Sequence, residues 1–163
     1  MWINDATVKW ELDECHSDII FVLDETLKIF QGNSLLIKSC LALLSVLVGK
    51  MDIASGGTRV GLVTYSSAVN EQFNLNASSK VTSIENAIAS LEYSSDRADT
   101  AAVLAHVRTV MLTAEAGDRS NVMNVVVVVT DGDSKDKEAT KVGLCIPCDL
   151  VCILPTFYYI TFM

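Results

Sequence analysis

Two aspartates and a threonine set the chemical question. Asp24 and Thr26 follow the apolar run Ile19 to Leu23, and Asp131 follows the valine run 125–129. Carboxylate and hydroxyl oxygens are what a hard cation such as Mg²⁺ takes, in octahedral geometry and usually with waters. The D-x-T spacing sets two side chains on one side of an extended turn. The same residues also have a plain structural use, Asp24 capping a following helix and Thr26 satisfying loop amides. Lys28 lies in the same turn, and its ammonium on a long, flexible stem can stand where a metal would.

Other chemistry finds little footing. The chain has no G-x-G-x-x-G or G-x-x-x-x-G-K-[ST] loop to cradle phosphate and no G-x-S-x-G elbow. Its two histidines are His16, in the leader, and His106, one position off the apolar stripe of a helix and so expected at the surface. A doubly wound aspartyl phosphatase wants D-x-D, whereas residues 24–26 read Asp-Glu-Thr. A Mg²⁺-dependent hydrolase using Asp24 and Asp131 stays open as the least favoured alternative. The five cysteines are Cys15, Cys40, Cys145, Cys148 and Cys152. The C-I-P-C at 145–148 lacks both a partner pair for zinc and the strand-then-helix setting of a redox site. Asn76 opens the triplet Asn-Ala-Ser, an N-glycosylation acceptor if the chain is secreted.

These residues need a scaffold. The 163 residues suit one domain with its own core. Half are hydrophobic and the net charge is -8, which excludes nucleic-acid and anionic-membrane surfaces, since both need a basic face. It leaves room for a cation or a basic partner. Residues 18–24 and 122–134 read as buried strands, the second through five stiff valines. Residues 58–69 read as a strand with 71–75 pairing to it as a hairpin. Helical spacing covers 33–51, 78–91 and 100–114, with Asp99 as the cap of the last, and residues 134–141 could begin a surface helix. The segment 33–51 is too short and too interrupted by Lys38, Ser39 and Ser45 for a membrane span. Strands alternating with helices predict an α/β fold, a mostly parallel sheet with helices on both faces. Ligands then sit beyond the carboxyl ends of the strands, where Asp24 and Asp131 meet if their strands are neighbours.

The segments "DIIFVLDETLKIF", "TRVGLVTYSS", "RADTAAVLAHV" and "NVVVVVTDGDSKD" resemble, in order and spacing, the von Willebrand factor type A domain, from about Cys15 to Lys141. The cysteine before the first strand is similar to that of matrilins and type VI collagen. The resemblance implies a Rossmann-like, doubly wound sheet with one short antiparallel edge strand, and a non-enzymatic, extracellular, protein-binding module for matrix or cell-surface proteins such as collagen. It implies a disulfide from Cys15 to a cysteine beyond the last helix. It also implies a metal-ion-dependent adhesion site, which carries over in part. Asp24, Thr26 and Asp131 match three of its ligands, and Thr100 matches the second threonine of its T-x-T loop. Lys28 stands where a serine is expected and Ala98 where the first loop threonine is expected. Like charges repel by on the order of several kcal/mol at about 4 Å and an effective dielectric of about 20. A degenerate site that holds Mg²⁺ poorly is therefore expected.

The chain divides into a leader (1–16), the domain (17–142) and an atypical hydrophobic tail (143–163), with 149–154 able to serve as a further strand. The leader has no basic start and no continuous apolar core, so it does not read as a signal peptide. The tail departs from the family pattern. A truncated or mis-spliced product without independent function is thus an alternative reading.

Overall fold

A computed structural model describes residues 16–26, 42, 45, 46, 48–53, 56–77, 80–90, 98–130, 136 and 150–155. Five strands form one sheet: β1 (Ser17–Asp24), β2 (Thr58–Tyr65), β3 (Val69–Phe73), β4 (Met123–Thr130) and β5 (Leu150–Pro155), in the order β3-β2-β1-β4-β5. All neighbours are parallel except the β2–β3 hairpin at one edge. Two helices follow the hairpin, α1 (Val81–Ala89) and α2 (Thr100–His106). Residues 42, 45, 46 and 48 are also helical. None of the described helices is long and apolar enough to cross a membrane.

The two-residue repeat of a strand sorts the core into two layers. Ile20, Val22, Val63, Val126 and Val128 pack under α2 and its continuation, against Val103, Leu104, Val107 and Met111. Phe21, Leu23, Val60, Leu62 and Val129 point the other way, onto Val48, Ile53 and Ile84. Both faces are covered, so the parallel strands read as unbroken apolar runs. The doubly wound α/β architecture expected from the pattern is the one observed, and β5 lies within one residue of the strand expected at 149–154.

Several element limits differ from the sequence expectation, the hairpin strand ending at Phe73 and α1 running only Val81–Ala89 among them. The strand expected at 58–69 stops at Tyr65, because Ser66 turns the chain with its N–H on the Ala68 carbonyl at 3.0 Å and its own carbonyl accepts the Asp99 N–H at 2.8 Å. The pairing strand accordingly starts earlier than 71, at Val69. The helix expected at 100–114 is α-helical only to His106. It widens into a π-helical turn (Val107–Met111), closed by Leu112 N–H on the Val107 carbonyl at 2.9 Å. The Thr109 and Thr113 hydroxyls bond back to the Ala105 and Val110 carbonyls at 2.8 and 2.9 Å, an alternative to regular helix that threonine commonly offers. Gly61 gives this turn its close approach, since a Cβ there would lie 3.2 Å from Met111 Cε. The helix expected at 33–51 is described only in part. The segment 134–141 lies outside the described residues apart from Asp136.

β1 begins and ends on a buried carboxylate. At its start Asp18, fully buried, is gripped by Arg119 from the loop before β4. Arg119 Nε and Nη2 donate to Asp18 Oδ1 at 2.9 and 2.6 Å, and its backbone N–H to Oδ2 at 2.8 Å. The same guanidinium donates to the carbonyls of Ser17, Gly56 and Gly57. It thus joins the start of β1 to the approach to β2. At the other end of β1 stands Asp24.

Candidate functional site

Asp24 is the last residue of β1 and is 1% exposed. The next residue still follows the ladder, Glu25 N–H donating to the Tyr65 carbonyl at 2.9 Å. The chain then folds over the carboxylate. Thr26 donates both its backbone N–H (2.8 Å) and its hydroxyl (2.6 Å) to Asp24 Oδ1, the local side-chain turn that aspartate favours. Oδ2 accepts the Thr130 hydroxyl at 2.9 Å and, more weakly, the Tyr65 phenol at 3.5 Å. The phenol oxygen lies 3.3 Å from Thr100 Oγ1 in the first turn of α2. Register explains the convergence. Asp24 pairs directly with Tyr65, and Leu23 with Val129, so Thr130 falls at the level of Asp24. All three occupy the face of the sheet that α2 covers.

The α2 end of the site is fixed by Asp99. Its side chain caps the helix through the Ala102 N–H at 3.0 Å while its backbone N–H holds Ser66. Ala98, beside it, is 2% exposed and belongs to the apolar layer under α2.

The residues named from the sequence divide clearly. Asp24 and Thr26 are in direct contact, and Thr100 joins them through Tyr65. Ala98 contributes no oxygen. Asp131, Lys28 and Cys15 lie outside the described residues. Asn76 is exposed and makes no contact with this cluster, its backbone N–H and side-chain amide being held by the Ala116 and Glu115 carbonyls. His106, expected at the surface, is 25% exposed and sits 3.0 Å from Glu71 on β3. Tyr65 and Thr130 were not singled out from the sequence. Their signal was the two-residue repeat, which carries Val63 to Tyr65 and Val128 to Thr130 onto the face of Asp24.

The donors gathered here are one carboxylate and several hydroxyls, the hard-oxygen chemistry of Mg²⁺ or Mn²⁺. They do not complete a cation site by themselves. Both oxygens of Asp24 already accept protein donors, and among the described residues no three His, Cys, Asp or Glu side chains come together. The described part of the site is a satisfied hydrogen-bond network around a buried carboxylate.

That network acts on Tyr65. Burial, and next the charge of Asp24, push its phenol up to about 12, partly offset by hydrogen bonds with Thr100 and Thr130. The unfolded phenol ionises near 10. Between the two values the unfolded chain binds fewer protons than the folded one, so stability falls as pH rises. The contribution is complete below pH 10 and gone above about 12. We expect a loss of about 2–3 kcal/mol across this window. Urea unfolding at stepped pH measures it, and Tyr65→Phe should flatten the curve; an equally steep fall in that variant would assign the effect elsewhere.

Fold and site together define an α/β domain with a buried polar cluster at the carboxyl edge of its parallel strands, the edge where ligands usually sit in such sheets. The family model of the von Willebrand factor type A domain matches residues 18–147, and the chain belongs to this family. It is 33% identical over 123 residues to the collagen alpha-4(VI) chain of Mus musculus, covering 74% of this chain and 5% of that protein. To matrilin-1 of Homo sapiens it is 29% identical over 120 residues, covering 74% and 24%. The chain thus spans a small part of the length of these relatives. Among solved structures, proximal thread matrix protein 1 from the mussel byssus, with a zinc-occupied MIDAS motif, superposes with a TM-score of 0.70 at 19% identity, covering 86% of this chain and 37% of that one. The manganese-loaded TRAP protein of Plasmodium vivax gives 0.67 at 16% identity, covering 80% and 52%. Both share the fold.

Proposed function

We propose that the chain is a non-enzymatic, extracellular protein-binding module. It engages matrix or cell-surface proteins such as collagen, through the carboxyl edge of the sheet and without a divalent cation. The observation that carries the metal-free part is the saturation of Asp24 by Thr26, Thr130 and Tyr65. Ala98 supports it, being a buried apolar residue where an oxygen ligand is expected. In sequence, Lys28 stands where a serine ligand is expected and replaces an oxygen with a positive charge. The adhesive part rests on kinship with collagen VI and matrilin chains.

Binding of the full chain to immobilised fibrillar collagen, with chelator and with added Mg²⁺ or Mn²⁺, tests both parts. Binding unchanged by chelator, and no saturable heat on calorimetric titration with Mn²⁺, are expected. Collagen binding abolished by chelator, or tight Mn²⁺ binding lost in Asp24→Ala, would overturn the metal-free claim. The reverse substitution sharpens the test. Lys28→Ser combined with Ala98→Thr removes a cation and adds two hydroxyl oxygens, and should raise Mn²⁺ affinity by tenfold or more, as loss of a repulsion of about 1.4 kcal/mol or greater requires.

A further inference from the structure

We infer that Asn76 is an N-glycosylation site whose glycan shields the end of the domain opposite the Asp24 cluster. The inference rests on the extracellular reading above. Asn76-Ala77-Ser78 is the only N-x-[ST] triplet in the 163 residues. A triplet alone says little, because many fall on buried chain. Here the residues after β3 form a turn in which Asn76 and Ala77 are exposed. The turn is held by the Asn76 backbone N–H on the Ala116 carbonyl at 3.2 Å. The side-chain amide donates one bond, to the Glu115 carbonyl at 2.9 Å. An amide nitrogen carries two protons, so one remains for substitution.

Position gives the site its consequence. Asn76 rests on the segment 115–117, and the Gly117 carbonyl accepts Arg59 Nη1 at 2.7 Å from the second residue of β2. Tyr65, beside Asp24, closes the same strand, about 20 Å further along at strand rise. A glycan at Asn76 therefore covers the amino ends of the parallel strands and leaves their carboxyl edge open to a protein partner. In the modification itself, Asn76 Nδ2 attacks the anomeric carbon of a lipid-pyrophosphate-linked oligosaccharide. The N–C bond forms, the bond from that carbon to the phosphate oxygen breaks, the lipid pyrophosphate leaves, and the amide gives up one proton.

The test is to pass the full chain through the secretory pathway of mammalian cells behind a cleavable signal, with a second acceptor triplet appended as an internal control. Peptide-N-glycosidase F should remove two glycans from the wild-type chain and one from Asn76→Gln or Ser78→Ala. A single glycan on the wild-type chain, at the control triplet, overturns the proposal. Collagen binding of the same material before and after the enzyme separates the two readings. Collagen binding by chain that leaves the cells without a glycan at Asn76 counts against this inference alone, and a glycan at Asn76 without binding, before or after its removal, counts against the adhesive reading alone.

Discussion

Replacing Arg119 with methionine should cost about 3–5 kcal/mol of folding stability, the range found when one partner of a buried ion pair is removed. The reason is what stays behind. Asp18 is fully buried and would keep one donor, the backbone N–H of residue 119, in place of its paired guanidinium. The carbonyls of Ser17, Gly56 and Gly57 would lose a donor as well. Domains of this size are stable by roughly 5–15 kcal/mol, so the variant should be close to unfolding at ordinary temperature. Arg119→Lys should recover only part of the loss, because a point ammonium cannot span a carboxylate and three carbonyls as a planar fork does. The double variant Asp18→Asn with Arg119→Met should be less damaged than Arg119→Met alone, since no buried charge is then abandoned. Denaturant unfolding of the wild-type chain, Asp18→Asn, Arg119→Met and the double variant measures the coupling. Additive losses in the double variant would mean that the pair does not act as a unit.

Such a pair was out of reach of the sequence. Asp18 and Arg119 stand 101 positions apart. Neither lies in a spacing that announces chemistry, and Arg119 sits in "GDRSN", which reads only as a helix breaker. What patterning did carry was local and repetitive. Continuous apolar runs marked β1 and β4, and alternation with amphipathic helices marked the doubly wound class. The site was half legible for the same reason. Asp24 and Thr26 are two residues apart and form a local turn, so their meeting follows from adjacency. Tyr65 and Thr130 join them only through strand register. Hydrophobic periodicity places a residue on a face but does not say how far one strand slides along another. The π-helical turn was hidden too, because Val103, Leu104, Val107 and Met111 satisfy an ordinary helical stripe equally well.

Gly117 carries the other large prediction, and its neighbour Gly56 makes it a controlled one. Both have a left-handed backbone, with φ +100 and φ +81. An alanine at Gly56 meets nothing within 4 Å, so it should cost only the backbone term, about 1 kcal/mol. At Gly117 the new Cβ would lie 2.7 Å from the Asn76 backbone nitrogen and 2.8 Å from Asn76 Cβ. Those atoms cannot swing aside as a side-chain tip can. Relief requires moving the turn, which loosens the Asn76 N–H bond to Ala116 and the Arg59 bond to the Gly117 carbonyl. We expect Gly117→Ala to cost about 2–4 kcal/mol, the strain of a non-glycine residue in this region together with the lost bonds. The two variants share one kind of backbone strain, so their difference isolates the clash with Asn76. Equal midpoints in denaturant would remove that clash from the account, and with it the claim that the Asn76 turn is locked against the loop leading to Arg119. A gap of 1 kcal/mol or more, with unchanged denaturant slope, places the coupling at this one contact.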